Sequence, residues 1–210
     1  MNSLRICYWI ANYLTQHKNE VQQFLQMQEI DVLLISETNF TQKNCFRVNG
    51  YYTYDTKNPS GRACGGTEIL IRNDIKHFPM PEYKTEHIQA TSINIHDNKT
   101  TISSVYCPPN YNIKQDQFLD YFATLDPKFI AAGDYNTKHT FWGSRLITPR
   151  GRQLFEAMSL NKLDSISSGQ PTYWPADINK IPDLIDFAII RNIKRDCISV
   201  IFRQIIHQRS

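Results

Sequence analysis

The chain has 210 residues, 41% of them hydrophobic, and a formal net charge of +3. That suits one domain with a substantial core and argues against a second. So mild a positive charge permits a nucleic-acid partner without demanding one. Cys7, Cys45, Cys64, Cys107 and Cys197 form neither a CxxC pair nor a closely spaced framework. They read as reduced thiols of an intracellular protein of the nucleus or cytoplasm. No apolar stretch approaches the roughly 20 residues needed to cross a bilayer, and no basic segment with an apolar signal core opens the chain. The expectation is a monomer with no membrane association.

Leu4-Arg5-Ile6-Cys7-Tyr8-Trp9-Ile10 reads as a first strand that turns at Asn12-Tyr13. A helix is predicted from about Gln16 to Gln28, where Val21, Phe24 and Leu25 share one face. Asp31-Val32-Leu33-Leu34-Ile35-Ser36-Glu37 follows as a nearly continuous apolar strand, buried on both faces and ending in a carboxylate. Residues 38–64 read as a long polar connection and candidate binding surface, which leads through Arg62-Ala63-Cys64-Gly65-Gly66 into a strand at 67–72. Alternation then gives strands at 91–96 and 101–106 around an Asp97-Asn98-Lys99 turn. The second stops at Tyr106, because Cys107-Pro108-Pro109 cannot continue a ladder. Amphipathic helices are predicted at 115–125 and 149–160, and Leu184 to Ile190 reads as a strand with an embedded acid, Asp186.

Between those two helices lies the most informative stretch, Phe129-Ile130-Ala131-Ala132-Gly133-Asp134-Tyr135-Asn136. An apolar strand ends in a glycine, which lets another backbone come close. It then delivers Asp134 and Asn136 to the sheet rim, where period-two alternation points both the same way. An Asp and an Asn after a strand also serve simply to start a turn. Glu37, Tyr106 and Asp186 sit at comparable strand ends. Read singly, they are equally an exposed charge, a half-buried aromatic and a partner for a backbone amide or an Arg.

In order and local wording these fragments resemble the endonuclease/exonuclease/phosphatase superfamily, whose members include pancreatic deoxyribonuclease and the apurinic/apyrimidinic endonucleases. Within it they are similar to the endonuclease domain of non-LTR retrotransposons of the jockey type. The resemblance is carried by residues 4–12, Leu34-Ile35-Ser36-Glu37-Thr38, Arg62 with Gly66-Thr67, Ser104-Val105-Tyr106-Cys107-Pro108-Pro109, Gly133-Asp134-Tyr135-Asn136 with His139 and Trp142-Gly143-Ser144, and Pro182-Asp183-Leu184-Ile185-Asp186. It implies a four-layer α/β sandwich, with two packed mixed β-sheets flanked by helices, over residues 1–195. Residues 196–210 form a divergent tail. It also implies a Mg²⁺- or Mn²⁺-dependent endonuclease that nicks double-stranded DNA and is normally fused to a reverse transcriptase. By that pattern Glu37 holds the metal with Asn12 nearby, and Asp134 activates the attacking water. Asn136 and Tyr106 hydrogen-bond water or phosphate, and Asp186 completes the catalytic group. His139, Arg145, Trp142 and Arg62 are candidate DNA contacts, with Trp142 equally readable as a core aromatic.

This chain departs from the pattern in two places. Ile10 follows Trp9 where the family has Asn, and an aliphatic side chain neither coordinates nor donates. Asn12 is the remaining polar residue of that motif, and Tyr13 stands where glycine is usual, which predicts a rebuilt turn. The tail carries no Asp-His pair; His207 stands alone. Losing such groups costs on the order of 10²–10⁴ in rate. The sequence therefore predicts a weak or degenerate nuclease from a truncated or frame-shifted element, with an inactive DNA-binding remnant as the alternative. A phosphoinositide or sphingomyelin phosphodiesterase relative fits the motif wording less well.

Overall fold

A computed structural model describes residues 4–197 except 98, 176 and 178. Strands β1 (Ile6–Ile10), β2 (Val32–Ser36), β3 (Tyr51–Thr56) and β4 (Thr67–Arg72) form one sheet in the order β1-β2-β4-β3. The first pair is parallel and the others antiparallel, so the sheet is mixed. The second sheet runs β10-β11-β9-β8-β7-β5. Its strands are β5 (His77–Pro79), β6 (Tyr83–Lys84, a side branch on β7), β7 (Gln89–Ile95), β8 (Thr100–Tyr106), β9 (Phe129–Asp134), β10 (Asp164–Ile166) and β11 (Asp186–Arg191). Helix α1 (Lys18–Gln28) covers the first sheet, while α2 (Gln115–Ala123) and α3 (Pro149–Leu160) cover the second.

Alternation explains why four layers form. In β2, Val32 and Leu34 face the other sheet and meet Ile93, Ile95, Ile102 and Ala132, while Leu33 and Ile35 face outward with Val21 and Leu25 of α1. A strand apolar at every position is what a sheet covered on both faces requires. In the second sheet Val105, Phe129, Ala131 and Ile189 face α2 and α3, packing on Phe118, Phe122, Leu154 and Met158. The expected four-layer sandwich is the observed fold.

Two expectations need correction. Residues 38–64 are not all loop, for Tyr51–Thr56 forms β3, an edge strand whose half-exposed tyrosines hide the usual alternation. The turn at Asn12-Tyr13 keeps left-handed backbone at both residues, φ 40° and 78°, and Tyr13 N–H still donates to the Glu37 carbonyl at 3.2 Å. Tyr13 thus takes the conformation that suits a glycine, at a strain of about 1–2 kcal/mol. The tail from residue 198 onward, including His207, lies outside the described residues.

Candidate active site

Strand register builds the site. Antiparallel pairing of β11 with β9 sets Asp186 opposite Asp134, parallel pairing of β8 with β9 sets Tyr106 beside Asp134, and β7 sets Gln89 opposite Tyr106. A polar row, Gln89–Tyr106–Asp134–Asp186, therefore crosses one end of the sheet. All four positions share the inter-sheet face with Ile93, Ile102, Ala132 and Ala188, since alternation repeats every two residues. The packing behind them is tight: a Cβ on Gly133 would lie 2.0 Å from the Val105 carbonyl oxygen.

The first sheet supplies the opposite wall. Tyr8 and Ser36 share the inter-sheet face of β1 and β2, and Glu37 follows Ser36 with φ 56°. Non-glycine residues held at such angles cluster at functional sites. The Tyr8 hydroxyl lies 2.6 Å from Ser36 Oγ and donates to Asp186 Oδ1 at 3.3 Å. Asn136 also has a left-handed backbone, φ 47°. It therefore meets Asp134 by folding back, not through the extended alternation expected of it. Its N–H donates to Asp134 Oδ1 and its Nδ2 to Oδ2, both at 2.7 Å, while Nδ2 also reaches the Cys107 carbonyl at 3.2 Å.

The electrostatics identify these groups as one cluster. Burial raises Asp134 well above the usual carboxylate range, with Asp186 and Glu37 adding repulsion. Burial likewise lifts Asp186 to about 7 despite hydrogen bonds from Thr172 and Tyr8. Glu37 is raised by burial, partly offset by Tyr106, whose phenol is pushed up by burial and by Glu37 and Asp134. Perturbed acids that repel one another in a cleft mark functional sites more often than structural ones.

The nearest buried cation is Arg150, which donates to the carbonyls of Cys107, Pro108, Pro109, Tyr111, Tyr135 and Asn136. Arg150 thus fastens the loops after β8 and β9, which carry the site. Its guanidinium is spent on carbonyls, so the acid row is short of positive charge. Among the described residues no three His, Cys, Asp or Glu side chains form a ready-made metal cage. A single carboxylate such as Glu37 still fits Mg²⁺, which commonly keeps several waters and binds through one or two carboxylates plus substrate phosphate. Asn12 is exposed, in the turn beyond β1 whose Tyr13 N–H donates to the Glu37 carbonyl.

The other candidates separate. His139 accepts from Phe141 N–H at 3.1 Å and stacks on Phe155 at 4.4 Å; burial and then Arg152 hold it below its usual range. Trp142 is 2% exposed and stacks on Phe187 at 4.6 Å, so it is a core residue and not a DNA contact. Arg62 is exposed on the loop before β4. Arg145 lines a cavity of about 500 Å³ with Lys138, Tyr173 and Lys180. Lys138 is neutralised there by buried Asp183, 3.0 Å from its ammonium. The sequence reading passed over Tyr8, Gln89 and the role of Arg150. Its one available signal was polar residues on the inward face of otherwise apolar strands.

Comparisons with known proteins bear on the family and the fold. A family model described as endonuclease-reverse transcriptase matches residues 100–194. The chain is 36% identical over 196 residues to a probable RNA-directed DNA polymerase from transposon X-element, and 30% identical over 197 residues to one from transposon BS, both of Drosophila melanogaster. Each match covers 92% of this chain but only 22% of the relative, so the chain spans a minor part of those proteins. Its fold is similar to that of the endonuclease domain of TRAS1, a telomere-specific non-LTR retrotransposon, with TM-score 0.72 at 20% identity over 90% of this chain and 85% of the other. It is also similar to an AP endonuclease from Leishmania major, with TM-score 0.69 at 14% identity over 90% and 79%. The chain has the endonuclease/exonuclease/phosphatase fold. It is recognised as an endonuclease domain of the non-LTR retrotransposon kind, of a sort found within reverse-transcriptase polyproteins.

Proposed function

We propose that this domain is a divalent-metal-dependent endonuclease that nicks one strand of duplex DNA. The observation that carries the reading is the meeting of Glu37 with the Tyr106–Asp134–Asp186 row at one mouth of the sandwich. Glu37 would hold Mg²⁺ or Mn²⁺, whose charge would offset that on the phosphate oxygens. Asp134, raised by burial, would be a stronger base toward an attacking water than an ordinary carboxylate. Asn136 occupies both Asp134 oxygens and so aims that carboxylate, while Tyr106 can donate to a phosphate oxygen. Arg145 and Lys180 beside Tyr173 would offer cations and an aromatic face to the DNA strand, and exposed Arg62 on the loop before β4 would add a further cation. Mg²⁺-dependent nicking of supercoiled plasmid tests the reading. The wild type is expected to make nicked circles slowly, and Asp134→Ala none. Equal background from both would overturn it.

Ile10 favours a second reading. By alternation it shares the inward face of β1 with Tyr8 and puts an aliphatic side chain at the rim. A domain that retains salt-dependent duplex binding but cuts nothing would fit that rim.

A further inference from the structure

We propose that Tyr8 is a positioning residue for the acid row, its phenol fixing the Asp186 carboxylate and tying the strand that delivers Glu37 to the strand that carries Asp186. Its kinetic consequence rests on the endonuclease reading above; its structural consequence does not. The argument begins with alternation in β1: Cys7 and Trp9 pack on the outer cluster beside α1, whereas Ile6 and Tyr8 pack on the cluster between the sheets. Ile6 only fills space there. Tyr8 is long enough for its hydroxyl to reach the polar end of that core.

A phenol has one proton to give. With that proton donated to Asp186 Oδ1 at 3.3 Å, the oxygen is left to accept from Ser36 Oγ at 2.6 Å. Ser36 is the last residue of β2, immediately before Glu37, and Asp186 is the first residue of β11 in the other sheet. The chain Ser36–Tyr8–Asp186 therefore crosses the gap between the sheets where the acids converge. On its other side Asp186 is braced through its backbone, since its N–H and that of Ile185 both donate to Thr172 Oγ1, at 3.0 and 3.1 Å. Tyr8 supplies a donor to the carboxylate from the facing sheet.

Such a donor is needed because Asp186 faces Asp134 across a register pair and also feels Glu37. Left without Tyr8, the carboxylate would keep only the Thr172 hydroxyl as a side-chain donor and would turn away from its neighbours or hold a proton more tightly. Burial and the three surrounding acids keep the phenol neutral, so it stays a donor through the working pH range. An anionic or merely aliphatic residue at position 8 would do neither job.

Tyr8→Phe keeps the ring and deletes the bond. If the domain nicks plasmid, the variant should lose about tenfold in kcat with KM within about twofold, the loss expected of one hydrogen bond to a charged group. In an Asp186→Asn background the same substitution should cost nothing further. A second readout needs no activity: the ¹³C carboxyl resonance of Asp186 should shift in folded Tyr8→Phe, and less strongly in Ser36→Ala, while half-buried Asp164, held by Arg195, stays put. An unmoved Asp186 resonance in both folded variants overturns the proposal, as does an unchanged kcat for Tyr8→Phe of an active wild type. If the wild type does not nick, the endonuclease reading fails separately and the resonance alone decides.

Discussion

Carboxylates are hidden from water at several places in this molecule, and two of those places differ in what surrounds the acid. Asp134 and Asp186 lie at the mouth between the sheets, where Asn136 occupies both oxygens of the first and Tyr8 donates to the second. Glu68 lies on the outer face of β4, 1% exposed, and its Oε2 has no hydrogen-bond partner. Burial raises all three, but the repulsion differs: Asp134 and Asp186 are pushed by other site acids, whereas Glu68 is pushed by Asp55 and Cys45, with Lys57 opposing. Burial alone is therefore no mark of a site. Several acids converging, with donors arranged to aim them, is the better sign.

The largest expected difference between the two regions is in chemistry. Asp134→Ala should lower plasmid nicking by at least about 10²-fold, whereas Glu68→Gln should leave it within about twofold. A matching loss in both would mean that Glu68 shares the site.

Next in size is the dependence of stability on pH. Asp186 rises from 3.8 to about 7 on folding, so the folded state binds the extra proton. Its contribution is fullest below pH 3.8 and is lost as pH climbs through 7. Denaturant melts of Asp186→Asn should show the variant gaining on wild type between pH 5 and 8, by roughly 1–3 kcal/mol. A gap independent of pH would refute the raised acid.

Glu68 should obey the same sign, since its folded-state pKa is also raised. Glu68→Gln should stabilise the domain at pH 8 by about 1 kcal/mol. That gain should be the same with or without Mg²⁺, unlike any change in the row. The smallest effect belongs to the strained turn on the rim of the first sheet. Relieving φ 78° with Tyr13→Gly should add about 0.5–1 kcal/mol, measurable as a rise in Tm.

Much of this was legible in the sequence because it depends on local periodicity. The helix read at 149–160 is observed at Pro149–Leu160, and the wholly apolar strand ending at Glu37 is buried throughout. Glu37, Tyr106, Asp134 and Asp186 were visible as polar residues at strand ends. Tyr8 and Gln89 were not, because their partners are set by register between strands far apart in the chain. Tyr51–Thr56 was hidden by tyrosines on a half-exposed edge, and Trp142 stayed open between core and DNA because an aromatic near arginines gives no hint of depth. Only the fold shows Arg150 enclosed by carbonyls.

Whether Glu37 and the row form a single cation site can be measured by thermal unfolding at pH 8 during a Mg²⁺ titration of wild type and Glu37→Gln. A ligand that binds only the folded state stabilises it by about 2.7 kcal/mol at a hundredfold excess over Kd. Wild type should show a Tm that climbs with Mg²⁺ and levels off, and Glu37→Gln a flat line. Equal climbs in both, or none in wild type, would contradict a metal site at Glu37.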